Sequence, residues 1–180
     1  MNGDTKEARG RVTSHESRVT GIRVGIGYDI HSLVEGRPLI LGGITVPHGK
    51  GLLGHSDGDA LLHSISDAIL GAAGLGDIGT HFPDTDPNYR GADSAKLLGL
   101  VVELVAKEGW KVVNVDSNVI AERPKLSPHF GEMRGRIAGI IGIPVECVSV
   151  KARTNEGIGA IGRGNAISTH AVALIESMSP

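Results

Sequence analysis

The 180-residue sequence has few aromatic residues and almost no cysteine. One Trp, two Tyr and two Phe are too few rings for the base-stacking surface of a single-strand nucleic-acid binder, so we expect no nucleic-acid partner. The single cysteine, Cys147, excludes an intramolecular disulfide framework. No apolar run approaches the ~18 residues of a membrane span, and we expect no membrane association. A net charge of −2 indicates no basic surface.

Glycine is abundant, with 27 residues, and metal-binding side chains are concentrated in one segment. Eight of the ten Asp residues lie between Asp29 and Asp93, and five of the eight His residues lie between His31 and His81. Such a concentration of carboxylate and imidazole donors indicates a metal or polyanion site in this segment.

The apolar pattern begins only after residue 20. Residues 1–20 are polar and lack the apolar region of a secretory signal, so we expect a disordered N-terminal extension followed by a single domain over 21–177. The pattern predicts strands over 22–28, 38–41, 44–47, 110–121, 148–153 and 166–175 and helices over 59–73, 93–108 and 128–141. This alternation predicts helices packed on one face of a sheet.

A first candidate site combines the end of the first strand with the first helix. Asp29 and His31 are two residues apart, so strand periodicity places both side chains on the same side. Asp59, His63 and Asp67 are spaced by four and form a stripe on the helix. Two His and a carboxylate leave one tetrahedral position for substrate, the pattern of catalytic zinc. In the alternative, the helix residues only cap the helix or face solvent.

A second candidate site is the start of this helix, where Ser56 or Asp57 can serve as the N-cap. A helix N-terminus binds phosphate well, but Asp57 and Asp59 repel an anion unless a cation lies between them. His55 can donate to a phosphate oxygen. The alternative is ordinary capping beside an incidental histidine.

Two loops offer further polar groups. Residues 151–156 carry cations, a hydroxyl, an amide and a carboxylate at a strand end, and the glycine-rich segment 157–164 follows. The glycines would let the backbone approach a ligand closely, although the segment lacks the Lys-Ser/Thr ending of a nucleotide phosphate loop. In the alternative, the segment is only a flexible hairpin connection. In residues 121–127, backbone groups can read a base edge and Lys125 can meet a phosphate, or the loop is simply solvated.

Taken in order, several motifs resemble one family, the 2-C-methyl-D-erythritol 2,4-cyclodiphosphate synthases, over residues 23–175. The motifs are Gly27-Tyr-Asp29-Ile-His31, Gly54-His55-Ser56-Asp57-Gly58-Asp59 with His63, Gly76-Asp77-Ile78-Gly79, Phe82-Pro83-Asp84-Thr85-Asp86-Pro87, Arg123-Pro124-Lys125, Thr154-Asn155-Glu156 and Gly162-Arg163-Gly164. The resemblance implies an α+β two-layer sandwich, with a four-stranded mixed sheet and helices on one face. It also implies a homotrimer with the sheets inside and active sites between subunits.

The implied reaction converts 4-diphosphocytidyl-2-C-methyl-D-erythritol 2-phosphate, a cytidine diphosphate substrate, to a cyclic diphosphate and CMP. By the same resemblance, Asp29, His31 and His63 bind Zn²⁺ or another divalent transition metal. Glu156 helps to hold Mg²⁺ or Mn²⁺ between the substrate phosphates. His55 and Thr154 are the implied catalytic residues, since they stabilise the transition state.

The resemblance also implies a substrate-binding set. It comprises Asp29, His31, His55, Ser56, Asp77, Ile78, Gly79, Phe82, Pro83, Asp84, Thr85, Asp86, Ala121, Glu122, Arg123, Pro124, Lys125, Leu126, Ser127, Arg153, Thr154, Asn155, Glu156, Ala160 and Arg163. Three positions depart from the usual family residues: Ala160 replaces a frequent Phe of the trimer-axis cavity, Asn165 a frequent Glu, and Arg153 a frequent Thr.

Two other functions are compatible with the residues alone: a metal-dependent phosphohydrolase of a nucleotide-linked substrate, and a non-enzymatic nucleotide-binding module. Release of inorganic phosphate would favour the hydrolase. The expected location is the bacterial cytoplasm, or a plastid-type organelle if the source is eukaryotic.

Overall fold

The structure, a computed structural model, describes residues 21–89 and 91–178. The extension expected over residues 1–20 lies outside the described residues. Among the described helices, none has the length and apolar character needed to cross a membrane.

The main sheet is mixed and has five strands, not the expected four, in the order β4-β1-β7-β5-β6. Only β5 and β6 are parallel, and the other neighbours are antiparallel. A separate two-stranded sheet pairs β2 with β3. The strands are β1 (Ile22–Glu35), β2 (Leu39–Leu41), β3 (Ile44–Val46), β4 (Lys50–Leu52), β5 (Trp110–Ile120), β6 (Val148–Arg153) and β7 (Ala166–Ser177).

Helices cover one face of the main sheet. The covering helices are α1 (Ala60–Ala73), α3 (Ser94–Lys107) and α4 (Phe130–Ile141). Two four-residue helices, α2 (Ile78–His81) and α5 (Gly159–Gly162), have no buried residues. The first helix, α1, packs across β1 and β7, whereas α3 contacts β5 and α4 contacts β6. The aliphatic core lies between these layers and includes the fully buried Leu61, Ile65, Leu98 and Ile137. The two-layer arrangement therefore follows the predicted one.

Two glycines of β1 allow α1 to approach the sheet closely. A Cβ atom on Gly25 would lie 2.0 Å from the carbonyl oxygen of Ala68, and one on Gly27 would lie 1.9 Å from that of Ser64. Real Cβ contacts are essentially never shorter than 3.0 Å, so only glycine is compatible with this packing. These glycines determine how near the strand lies to the helix that carries His63.

The N-cap of α1 is Asp59, so the prediction of Ser56 or Asp57 was wrong. The Asp59 carboxylate is fully buried and accepts hydrogen bonds from the backbone N–H of Leu62, at 3.0 Å, and from those of Gly42 and Gly43, at 2.9 and 2.6 Å. Because it also satisfies the β2–β3 turn, the tertiary structure selects this residue among three good capping candidates. The predicted end of this helix at residue 73 is confirmed, and Gly74 follows it with left-handed backbone geometry.

Three local predictions need correction. The first strand continues to Glu35, so Asp29 and His31 lie within β1 and not at its end. The segment 50–52, for which no strand was predicted, pairs with β1, with Leu33 and Leu52 as partners across the two strands. The segment 157–164 is not a hairpin connection, because β6 and β7 lie on opposite sides of β5 and α5 forms between them.

Candidate functional site

Three predicted ligands meet where β1 faces α1. Asp29 Oδ2 lies 2.8 Å from His31 Nε2 and 2.9 Å from His63 Nδ1, and the two ring nitrogens are 3.3 Å apart. Among the described residues, this is the group of histidine, cysteine and carboxylate side chains suited to hold a metal ion. Asp29 and His31 share a side of the strand as the period predicts, and His63 projects from the second turn of α1.

The outer contacts of both imidazoles direct their lone pairs inward. His31 Nδ1 lies 2.6 Å from the carbonyl oxygen of Leu53, which can only accept, so Nδ1 carries the proton and Nε2 has a free lone pair. His63 Nε2 lies 3.0 Å from Ser94 Oγ, whose own proton is donated to Asp57 Oδ1 at 2.5 Å. Three lone pairs therefore converge, an arrangement that requires a cation between them and fits a metal ion.

The electrostatics of this group also favour positive charge. Burial alone would raise the pKa of Asp29, but its hydrogen bonds with His31 and His63 outweigh burial and hold the pKa well below its ordinary value. The hydrogen bond to Asp29 raises the pKa of His31, against the opposing effect of burial. A proton on an imidazole and a metal ion thus compete for one position.

The stripe Asp59, His63 and Asp67 has three separate roles. Only His63 reaches the metal-binding group. Asp59 caps α1, as the alternative reading proposed. Asp67 accepts a hydrogen bond from the backbone N–H of Ile78 at 2.8 Å and so connects α1 to the start of α2.

A cavity of about 420 Å³ opens beside the metal-binding group. It is lined by His31, His55, Ser56, His63, Ile78, Gly79, Phe82, Pro83, Asp84, Tyr89 and Leu97. The structure therefore brings together the implied ligands, the catalytic candidate His55 and much of the 78–84 segment. Asp77, exposed, caps α2, and hydrogen bonds from Thr80 lower its pKa. Tyr89 and Leu97 also line the cavity, and no sequence motif indicated them.

A second cavity, of about 380 Å³, lies at the carboxyl ends of the parallel strands β5 and β6. It is lined by Ala121, Glu122, Arg123, Pro124, Lys125, Leu126, Ser127, Phe130, Ala152, Arg153 and Thr154. The loop 121–127 and the end of β6 thus form one cleft with three cationic side chains at its walls. Phe130 and Ala152 are additional lining residues that the sequence did not indicate.

Several predicted residues line neither cavity: Asp29, Asp77, Thr85, Asp86, Asn155, Glu156, Ala160 and Arg163. Glu156 is also outside the metal-binding group. Its carboxylate accepts a hydrogen bond from Thr154 Oγ1 at 2.8 Å, and its backbone φ is +50°, a left-handed value that is uncommon for a residue with a Cβ. Such local strain is typical of ligand-binding positions.

Comparison with known proteins gives one family. Residues 22–176 match the model of the YgbB family. The curated relatives include the 2-C-methyl-D-erythritol 2,4-cyclodiphosphate synthase of Dechloromonas aromatica, 59% identical over 154 residues that cover 86% of this chain and 96% of the relative. The Chromobacterium violaceum protein of the same name is 60% identical over 153 residues, covering 85% of this chain and 97% of the relative.

Solved structures give the same result. The bifunctional IspDF of Campylobacter jejuni superposes with a TM-score of 0.84 at 40% identity and covers 87% of this chain, which spans only 42% of that longer protein. The CDP complex of Plasmodium falciparum IspF superposes with a TM-score of 0.77 at 39% identity, covering 89% of this chain and 99% of that chain.

Proposed function

The chain belongs to the YgbB family. We propose which of its residues bind the metal ions, which bind the substrate and which stabilise the transition state in the reaction of that family. The chain is a phosphorus–oxygen lyase of the non-mevalonate isoprenoid pathway. It converts 4-diphosphocytidyl-2-C-methyl-D-erythritol 2-phosphate to 2-C-methyl-D-erythritol 2,4-cyclodiphosphate and CMP. The resemblance noted in the sequence is thereby confirmed.

The reaction is an intramolecular phosphoryl transfer. An oxygen of the 2-phosphate attacks the β-phosphorus of the diphosphate, the bond from that phosphorus to the bridging oxygen breaks, and CMP leaves with the electron pair. The attacking oxygen is already anionic, so no general base is needed. The barrier arises from bringing two anions together, and a protein lowers it by folding the substrate and by placing positive charge around it.

The converging lone pairs of Asp29, His31 and His63 are the observation that carries the metal assignment. These three residues would hold Zn²⁺ or a similar divalent ion, and Glu156 would help to hold Mg²⁺ or Mn²⁺ at the substrate phosphates. When bound, these ions supply positive charge that offsets repulsion between the phosphates.

The two proposed catalytic residues occupy different cavities of the chain. His55 is exposed and lines the cavity beside the metal-binding group, here called the metal-side cavity, where its ring can donate to a phosphate oxygen. Thr154 lines the cavity at the end of β6, here called the β6 cavity, with Arg153 and Lys125 beside it. The two cavities share no lining residue, so each would supply only one of these two residues to an active site.

A homotrimer, with one chain's metal-side cavity facing the β6 cavity of its neighbour, supplies the complete set. The sheet face opposite the helices supports this assembly. It exposes Val24 at 65%, Ile26 at 72% and Val172 at 43%, an apolar surface that a second and third copy would cover. The sheets then lie inside the assembly.

We assign the β6 cavity to the cytidine moiety. Backbone groups of 121–127 would meet the base, and the Lys125 and Arg153 side chains would meet the nucleotide phosphates. The relative from Plasmodium falciparum that was solved with CDP supports a cytidine nucleotide as ligand. The bacterial sources of the curated relatives support a cytoplasmic location.

Subunit complementation tests the shared site. His55→Ala and Thr154→Ala chains are purified separately, mixed in denaturant and refolded together. Each variant alone is expected to be inactive, whereas about a quarter of the sites in randomly mixed trimers would combine His55 from one chain with Thr154 from another. CMP release and phosphorus NMR of the cyclic product measure the recovery.

The control mixture contains His55→Ala and His63→Ala chains. Both substitutions affect the metal-side cavity of a single chain, so mixing cannot restore a complete site and no activity should return. Equal recovery in both mixtures, or none in either, would contradict the proposed sharing.

A further inference from the structure

The second ring nitrogen of His63 contacts a buried polar chain that leads away from the metal-binding group. Ser94, the first residue of α3, is 1% exposed, and its Oγ lies 3.0 Å from His63 Nε2. Ser94 Oγ also lies 2.5 Å from Asp57 Oδ1. The contacts join residues 31 and 37 positions apart, so they exist only in the folded chain.

The direction of the hydrogen bonds is determined by the carboxylate. An ionised carboxylate only accepts, so the single hydroxyl proton of Ser94 is donated to Asp57. Ser94 therefore presents a lone pair to His63, and Nε2 must donate. Asp57 is itself fixed, because its Oδ2 accepts from the backbone N–H of Ser94 at 3.1 Å and its Oδ1 from that of Asp59 at 3.2 Å.

We infer that Ser94 and Asp57 are positioning residues that hold His63 in the Nε2–H tautomer and thereby keep Nδ1 available as a metal ligand. This inference rests on the metal site of the proposed function. A neutral imidazole carries one proton, and protonation at Nδ1 would remove the lone pair that faces Asp29 and His31. The hydrogen bond between His63 and Ser94 also links the metal ligand on α1 to the start of α3.

Ser56 is a second neighbour of the same nitrogen, so its effect on His63 must be distinguished from that of Ser94. Its Oγ lies 3.1 Å from His63 Nε2 and accepts from the backbone N–H of Gly58 at 3.2 Å. Unlike Ser94, Ser56 has no carboxylate partner among its described contacts. Its hydroxyl is therefore free to donate or accept, and it does not by itself determine the tautomer.

Asp57→Asn provides the sharpest perturbation, because it can reverse the direction of the hydrogen bonds between residue 57, Ser94 and His63 with little change in side-chain shape. In the orientation that keeps the amide oxygen on the Ser94 backbone N–H, the NH₂ group faces Ser94 Oγ, and the Asp59 backbone N–H loses its acceptor. Ser94 then accepts from the amide and donates to His63 Nε2. The proton of His63 consequently moves to Nδ1, the atom required by the metal.

The experiment measures Zn²⁺ affinity by competition with a chromophoric chelator, and the hydrogen bond donated by His63 Nε2–H in the Zn²⁺-loaded protein by ¹⁵N histidine NMR. Asp57→Asn and Ser94→Ala are expected to weaken Zn²⁺ binding about 10–100-fold, and Asp57→Asn to shift the Nε2–H signal from its wild-type position. Ser94→Thr retains the hydroxyl and should restore affinity. Ser117→Ala, which removes another buried hydroxyl bonded only to a backbone carbonyl, is the matched control.

Unchanged affinity in both variants, together with an unchanged Nε2–H signal in Asp57→Asn, would overturn the inference. So would a loss of affinity confined to the Ser56→Ala/Ser94→Ala double variant, because Ser56 would then be a sufficient acceptor. If Zn²⁺ does not bind to the wild-type chain, the metal assignment itself fails, an outcome distinct from failure of the positioning role. Circular dichroism of Asp57→Asn and Ser94→Thr verifies that folding is intact.

Discussion

Replacement of Gly27 by alanine should damage the metal site through the backbone alone. The Cβ atom of alanine would lie 1.9 Å from the carbonyl oxygen of Ser64, and the other nearest atoms, at 2.8 and 2.9 Å, also belong to the backbone of α1. No flexible side chain can move aside. Raising the contact from 1.9 Å to the practical minimum of 3.0 Å requires β1 and α1 to separate by 1.1 Å.

This separation acts on the ligands directly, because Ser64 follows His63 and Gly27 lies two residues before Asp29. Metal–ligand distances tolerate only about 0.2 Å. Loss of an outer hydrogen-bond partner already costs about 10–100-fold in metal affinity, so displacement of His63 itself should cost at least about 100-fold. Overpacking of this kind costs about 3 kcal/mol at the upper end, or a fall in Tm of about 6–12 °C for a chain of this size.

Gly71→Ala is the matched control on the same helix. Its Cβ would lie 3.9 Å from the carbonyl oxygen of Ile26, an ordinary contact, and alanine in a helix is favoured over glycine by about 1 kcal/mol. This variant should be slightly more stable than wild type, with unchanged Zn²⁺ affinity. Thermal unfolding of the chelator-treated proteins and competitive Zn²⁺ titration measure both effects. A Gly27→Ala chain with wild-type Tm and affinity would refute the proposed role of close packing.

Two further predictions concern α1. His63→Ala should abolish CMP release and bound zinc while leaving the mass by light scattering unchanged, and retained zinc in metal analysis would eliminate the ligand set. Asp67→Asn should stabilise the metal-free protein at pH 7. Burial raises the pKa of Asp67, and the nearby negative charges of Asp77 and Asp29 add to this effect, whereas the hydrogen bond from the Ile78 backbone N–H opposes it. A raised pKa means that ionisation costs the folded state, so the wild type loses stability as pH rises from about 3.9 through the raised pKa. The Tm difference between variant and wild type should therefore vanish at low pH, and a difference independent of pH would contradict this reasoning.

Features determined by local sequence were predictable. Asp93 caps α3 and Gly74 ends α1, because short polar side chains and glycine are favoured there over short range. The pairing of Asp29 with His31 followed from strand periodicity. His63 was one of three candidates on a stripe of the first helix, and the resemblance to the family selected it.

Features determined by distant contacts were not predictable. Asp59 is the cap because its carboxylate also accepts hydrogen bonds from the backbone N–H groups of Gly42 and Gly43 in the β2–β3 turn. Nothing in residues 55–59 indicates that this turn lies beside them. Strand β4 has only three residues and forms because Leu33 extends β1 beside it. The contact of Ser94 with His63 likewise depends on how α3 packs against α1.

The glycines of β1 illustrate a different limit of sequence interpretation. Gly25 and Gly27 match the first two glycines of a dinucleotide-binding fingerprint, but no third glycine follows at the required spacing and no helix begins there, so the segment is not such a site. Their positive role is steric and involves a helix some forty residues later. A short-range motif search can reject a ligand site, but it cannot detect backbone-to-backbone packing.

The separation of the ligands between two elements couples metal supply to the amount of folded protein. Asp29 and His31 belong to β1 and His63 to α1, so the donor atoms meet only after strand and helix have docked. An ion that binds only the docked form stabilises it by mass action, by about 2.7 kcal/mol when its free concentration is 100 times the dissociation constant. Cells starved of that ion would then contain fewer folded molecules, a loss of enzyme in addition to the loss of turnover per molecule.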